Sequence, residues 1–300
     1  MSNESTTSAV RRHREPLGAR LFVALQYLLP QHLLSNLVGA LARSRLALIR
    51  RPLLAFFLRT YRPDMSDAAN PDPYSYASFN EFFTRALKPG ARPLSTTARA
   101  IVSPVDGRIS ALGDSGGGRI IQAKGRDYAL RALLAGDERL TALVQGGPFM
   151  TIYLAPFNYH RIHMALGGTL VGAWFVPDRL FSVNDATARN VDGLFARNER
   201  LILEFDGEQG PHIQVLVGAL FVGSMGSVWH GDIAPRGQRT PLALPLPTGA
   251  AARAAQGAEL GRFNMGSTVI LLLPKGGARW EGVTAGQPLR VGQQIGLLQA

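Results

Sequence analysis

Ser267 follows Gly266 and precedes Thr268, between Met265 and the apolar run Val269 to Leu273. A serine one residue past a glycine places a nucleophile beside an unhindered carbonyl, that of its own predecessor. With a base at hand, its oxygen can attack the Gly266 carbonyl and open the chain. On its own a Gly-Ser-Thr tripeptide is an ordinary turn. It gains weight from two segments ahead of it, Ser103-Pro104-Val105-Asp106-Gly107 and Tyr159-His160-Arg161-Ile162-His163-Met164, in the order acid, base, serine. Asp106, His163 and Ser267 would form a relay. The imidazole takes the hydroxyl proton, and the carboxylate holds the tautomer and stabilises the imidazolium. Asp-Gly is also a common turn pair, so Asp106 alone would be read as a turn.

His160 and His163 are three residues apart. On a helical turn that spacing puts both on one face, as a metal site would want; on a strand it puts them on opposite faces. The run Thr151 to Leu154 followed by Pro156 favours a loop or short turn here. With no cysteine in the chain and no glutamate at ligand spacing, a metal site is not expected. His212 and His230 have no such context and are expected to be structural.

These groups need a frame. Residues 1–16 are polar with Arg11, Arg12 and Arg14, and are expected to form a disordered leader without the apolar core of a secretory signal. Over 17–61, Leu21, Phe22, Leu25, Leu28 and Leu29, then Leu33, Leu34, Leu37, Val38 and Leu41, recur at helical spacing. A third stripe runs from Leu46 to Leu58. No stretch reaches the roughly 20 apolar residues of a spanning helix. Short apolar faces punctuated by Arg43, Arg45, Arg50, Arg51 and Arg59 suit helices lying in a membrane interface, and equally suit helices packed on the same protein. Residues 62–98 are rich in Pro and Asp and are expected to be a linker with a short helix at Phe79 to Arg85. Beyond it, short β-rich runs alternate with Gly and Pro turns: 108–112, 150–154, 169–173, 201–205, 213–217 and 268–273. A further helix is expected at Tyr128 to Leu134, and the stretch 236–258 as an exposed excursion. The expected fold class is α+β, with N-terminal amphipathic helices followed by a mostly antiparallel β-rich body over 99–300.

The net charge of +11 asks for a partner. No nucleic-acid motif accompanies it, so no nucleic-acid partner is expected. An anionic membrane surface suits better, because charge and apolar residues coincide near the N-terminus. From charge alone, excess arginine on a plain solvated surface is the favoured reading.

The chain resembles the phosphatidylserine decarboxylase proenzymes, a pyruvoyl-dependent family of prokaryotic type. The resemblance rests on the two segments above and on Ser78 to Arg85, Gln122-Ala123-Lys124-Gly125, Leu180 to Asn184, Asn198-Glu199-Arg200, Val217-Gly218-Ala219, Val222-Gly223-Ser224 and Gly261-Arg262-Phe263. Two positions depart from it. Met265 stands where the family commonly has Leu, and Ala165 where it commonly has Pro. The resemblance implies cleavage between Gly266 and Ser267. Ser267 attacks the Gly266 carbonyl to give an ester, β-elimination leaves dehydroalanine, and hydrolysis of the derived imine releases ammonia. Ser267 thereby becomes a covalent pyruvoyl cofactor at the head of a small chain, which stays associated with the large one. The ketone forms a Schiff base with the amine of phosphatidylserine and accepts the electrons released with carbon dioxide, giving phosphatidylethanolamine. His160 is implied as the proton donor to the resulting carbanion. Thr268 and the amides around Gly266 are candidates for an oxyanion site, and Arg85 and Arg161 lie in matched segments where the lipid's anionic groups could be received. The lipid substrate turns the choice at 17–61 toward the membrane, and implies a peripheral protein on the cytoplasmic face of the inner membrane, with a homodimer compatible.

Three other functions remain in play: a serine hydrolase using the same three residues, although the Gly-x-Ser-x-Gly elbow is absent; pyruvoyl chemistry on another amine-bearing carboxylate; and a membrane-docked carrier module with Lys124 as its attachment point.

Overall fold

The computed structural model describes residues 17–123, 126–221, 224–233 and 237–299. The leader expected over 1–16 lies outside these residues, as do Lys124, Gly125, Val222 and Gly223.

Three helices lead the chain: α1 (Leu17–Leu28), α2 (Gln31–Arg43) and α3 (Ala47–Tyr61). Pro30, in the N-cap position of α2, sits at the break between the first two, since it has no N–H to continue the helical ladder. Pro52 falls in the second turn of α3 and is accommodated there. The stripe that α1 and α2 turn toward the body is mostly polar or small: Gln26, Gln31, Ser35, Gly39 and Ala42 are buried, with Val23 the apolar member that joins the core of the body. Its polar members receive backbone amides from the β body. Gln26 Oε1 accepts from Ser182 N at 2.7 Å, Gln31 Oε1 from Leu180 N at 2.8 Å, and Ser35 Oγ from Phe221 N at 3.1 Å. The apolar stripe faces outward, with Leu21, Leu25, Leu28, Leu33, Leu37 and Leu48 exposed, Leu48 at 89%. Among the described residues no single helix is long and apolar enough to cross a membrane. Residues 21–28 with α2 form a pair bent by 89° that meets the length and composition of a span only together.

Residues 62–98 are largely exposed or half-buried but include the short helix α4 (Phe79–Phe83), which Ser78 caps by accepting from Glu81 N. Phe79, Phe82 and Phe83 are buried with Leu54 and Phe57 of α3 and Ala42 of α2. Phe57 meets all three rings edge-on, at 5.2 to 5.9 Å between centroids. Such contacts add roughly 0.5–1.5 kcal/mol each beyond area burial.

The body is antiparallel throughout its named strand pairs. The large sheet runs, in spatial order, through strands 242–243, 168–176, 200–207, 210–217, 268–272, 148–153, 107–114 and 288–289, with 253–254 beside 168–176. Strand Thr268–Leu272 is central and fully buried, which explains the unbroken apolar sequence from Val269 onward. A smaller sheet orders strands 231–233, 224–227, 259–264 and 161–163. The helix expected at Tyr128 to Leu134 is shorter, Leu130–Leu133, because residues 126–129 pair with strand 119–123 instead. Within 237–258 most residues are exposed, though Leu242–Ala243 and Arg253–Ala254 both pair with strand 168–176.

Candidate active site

The chain crosses between the two sheets at Met265-Gly266-Ser267. Strand Glu259–Asn264 belongs to the small sheet and Thr268–Leu272 to the large one. The crossover requires left-handed backbone at two consecutive residues, Met265 with φ 83° and Gly266 with φ 86°. Gly266 adopts it freely, but a Cβ at Met265 makes it cost about 1–2 kcal/mol. The Met265 side chain packs against the aromatic cluster of α3 and α4, so the N-terminal region helps hold the strained turn. Asn80 of α4 adds a side-chain bond to Asn264 at 3.1 Å.

Ser267 is buried. Its carbonyl accepts from Leu154 N at 2.7 Å, and its hydroxyl meets Thr268 Oγ1 at 3.4 Å. Gly107 follows Asp106 because a Cβ there would meet the Tyr153 carbonyl at 2.6 Å; the Asp-bearing turn therefore lies close against the strand that precedes Leu154.

The histidine segment bridges the acid and serine segments through its backbone. His163 N donates to Pro104 O at 2.8 Å, and His160 O accepts from Phe263 N at 3.0 Å. His163 lies in the strand Arg161–His163 and His160 just before it, so the two side chains diverge. His163 Nδ1 lies 2.8 Å from Gly257 O. A carbonyl only accepts, so the proton is on Nδ1 and Nε2 holds a lone pair, the tautomer a general base needs. That lone pair accepts from Tyr159 Oη at 3.1 Å. Burial pushes the imidazole below its ordinary pKa, opposed by the Gly257 bond and by the charges of Glu259 and Asp106. Asp106 is held by Arg92, at 2.9 Å from Nε and 2.6 Å from Nη2, and by Val291 N at 2.9 Å. Among the described residues no direct hydrogen bond joins Asp106 to His163 or His163 to Ser267. The fold thus brings the three segments together through their backbones, while each side chain is held by another partner: Gly257 and Tyr159, Arg92, and Thr268.

His160 is fully buried, with its ring 4.0 Å from that of Phe83. Nδ1 donates to Asn158 O at 2.8 Å, and Nε2 has no partner. Burial pushes its pKa down to about 3, with Arg85 adding to the effect. At rest Nε2 is therefore an acceptor, and a donor's role follows only after it takes up a proton. His212 is also buried, stacked on Phe205 at 5.1 Å and pushed down to about 4; His230 is tied to Ser227 Oγ and Pro245 O, both at 2.7 Å. Arg161 is committed to Glu259 and to Thr84 O, both at 2.9 Å. Among the described residues no group of three or more His, Cys, Asp or Glu side chains is arranged to hold a metal. The residues that sequence reasoning missed are Tyr159, Arg92 and Gly257. Tyr159 adjoins the histidine pair in sequence, but its hydroxyl contact depends on the fold.

A buried serine behind a left-handed Met-Gly pair, with a base-form imidazole on the neighbouring sheet, gives the chain a nucleophile and a base in adjoining segments. Residues 79–297 match the family model described as phosphatidylserine decarboxylase, and residues 21–62 match a second model described as PSD. The chain is 48% identical over 282 residues to a phosphatidylserine decarboxylase proenzyme of Ectopseudomonas mendocina, covering 93% of this chain and 99% of that one. It is 48% identical over 281 residues to that of Methylococcus capsulatus, covering 93% and 97%, and 49% identical over 280 residues to that of Pseudomonas aeruginosa, with the same coverage. The chain belongs to the phosphatidylserine decarboxylase family.

Proposed function

We propose that this protein cleaves itself between Gly266 and Ser267 and then converts phosphatidylserine to phosphatidylethanolamine and carbon dioxide. The carrying observation is the left-handed pair Met265-Gly266 in front of buried Ser267. Strain there destabilises the peptide that must break and is released when it does. His163 Nε2 takes the Ser267 hydroxyl proton once Tyr159 turns away, and the Gly257 carbonyl keeps the ring in the base tautomer. Asp106 favours the imidazolium through its charge, with Arg92 fixing its position.

Ser267 suits conversion to a pyruvoyl group. Its carbonyl is already held by Leu154, and Thr268 onward is locked between two strands, so the freed end keeps its place. The strands on either side of the cut belong to different sheets, which lets both products remain folded and associated. Once formed, the ketone supplies an electron sink for an amine-bearing substrate. His160 Nε2, unpartnered and shielded from water, is placed to hold and return one proton.

The outward leucines of α1 to α3 favour docking of residues 17–61 on an anionic membrane, as a peripheral protein of the cytoplasmic face of the inner membrane. Polar anchoring of the inward stripe leaves the apolar face for lipid. The test is to incubate purified wild type and Ser267→Ala with serine-headed phospholipid and measure carbon dioxide. Release by the cleaved wild type, and none by an uncleaved Ser267→Ala, is expected. Release by Ser267→Ala would overturn the proposal.

A further inference from the structure

Arg85 lies two residues beyond α4, with 4% of its surface exposed and its Cζ 5.6 Å from the centre of the Phe82 ring. Nη2 makes one long bond to Phe157 O at 3.4 Å, while Nε and Nη1 are sealed from solvent without an acceptor. Among the described residues no carboxylate forms an ion pair with it; Asp106 and Asp64 act on it only at a distance. Arg200, similarly buried, shows how this fold satisfies a structural arginine. It donates to the carbonyls of Leu133, Ala196, Asn198 and Ala132 at 2.6 to 3.0 Å. Buried donors left unmade are costly, so an outside group that reached them would relieve that cost.

The unfilled donors also lie near His160. Phe157 and Asn158, adjacent in sequence, give their carbonyls to Arg85 and His160 respectively, and the charge of Arg85 acts on the unpartnered His160 ring. Arg85, Asn158 and Tyr159 line one wall of a cleft of about 430 Å³ that Asp106 and Arg92 also border.

We propose that Arg85 receives the phosphodiester of the substrate's head group. This rests on the decarboxylation proposed above. Nη2 gives one N–H to Phe157 O, which leaves one bidentate edge of the planar guanidinium whole, and that edge matches an anion with two oxygens. The substrate carries two such anions, and the reaction separates them. The carboxylate loses its charge as carbon dioxide departs, so a strong contact to it would hold the ground state more than the transition state. The phosphodiester keeps its charge throughout, and binding it positions the amine and the reacting carbon without opposing the step.

The experiment compares wild type, Arg85→Gln and Arg85→Lys, with the exposed Arg239→Gln as a charge control. Self-cleavage, read by denaturing mass spectrometry, reports that each variant folds. The cleaved proteins are assayed for KM on detergent-dispersed phosphatidylserine. They are also assayed for inhibition by phosphatidylethanolamine, which has the phosphate but no carboxylate, and by an O-alkylserine, which has the carboxylate but no phosphate. For Arg85→Gln we expect KM and the phosphatidylethanolamine inhibition constant to rise about 10- to 100-fold, the loss of a charged bond pair. O-Alkylserine inhibition should stay within about twofold. Arg85→Lys should fall between, and Arg239→Gln should match wild type. Unchanged phosphatidylethanolamine inhibition with weakened O-alkylserine inhibition would assign Arg85 to the carboxylate and overturn the proposal. Equal constants in all variants, or failure of both Arg85 variants to self-cleave, would assign it to the fold and overturn it too. A wild type that releases no carbon dioxide would instead refute the underlying decarboxylation.

Discussion

Tyr159→Phe should accelerate self-cleavage. The Tyr159 hydroxyl donates to His163 Nε2 at 3.1 Å and occupies the lone pair that must accept the Ser267 proton. Phenylalanine keeps the ring, whose centroid lies 5.7 Å from that of His163, and removes only the oxygen. A neutral hydrogen bond contributes a net ~0.5–1.5 kcal/mol. That stabilisation belongs to the uncleaved state and is surrendered before the base can act. Removing it lowers the barrier by the same amount, and with about 1.4 kcal/mol per tenfold in rate the gain is roughly 2- to 10-fold. The assay follows the large chain ending at Gly266 on denaturing gels after refolding of denatured precursor. Slowing by tenfold or more would refute the reasoning, since it would mean that the phenol carries the proton instead of blocking it.

Other outcomes follow from the same geometry. Met265→Gly should slow cleavage several-fold by releasing about 1–2 kcal/mol of left-handed strain, while Met265→Ala, which keeps the Cβ, should cleave near the wild-type rate in the same gel assay. The cleavage rate should rise with pH through an inflection below 6.5, because burial lowers the pKa of the His163 base and only its neutral form accepts a proton. Uncleaved Ser267→Ala should lose stability as pH falls below 6.5. The unfolded chain protonates His160 and His212 there, whereas the folded chain resists until about 3 and about 4. The slope is up to ~1.4 kcal/mol per pH unit for each ring, and denaturant titrations at several pH values should show one share of it disappear in His212→Gln. Replacing the exposed Leu33, Leu37 and Leu48 together by Ser should weaken binding to anionic vesicles at least about tenfold, with little change in the denaturation midpoint.

The β body was legible because buried strands leave an unmistakable trace. Residues 269–273 are apolar without alternation and 213–217 are apolar but for Gln214, and the two runs neighbour each other in the large sheet. The turn at Gly266-Ser267 was legible from residue type. The direction in which the leading helices face was not. Leucine spacing defines a stripe but not what covers it, and the anchors that settle the matter, Gln26, Gln31 and Ser35, bond residues some 150 positions or more away. The same distance hid the partners of the relay. Nothing near Asp106 in sequence marks Arg92 as its clamp, and Gly257 holds His163 through a carbonyl that any residue would supply. The linker expected at 62–98 has the polar composition of a loop, yet several of its residues, among them Phe79, Phe82, Phe83, Thr84 and Arg85, are buried.

The most direct measurement is the mass of the purified, active protein under denaturing conditions. A large chain ending at Gly266 and a small chain beginning at residue 267, its first residue lighter than an N-terminal serine by one ammonia and resistant to N-terminal sequencing, is the predicted result. A single unbroken chain that still releases carbon dioxide from phosphatidylserine would contradict the account.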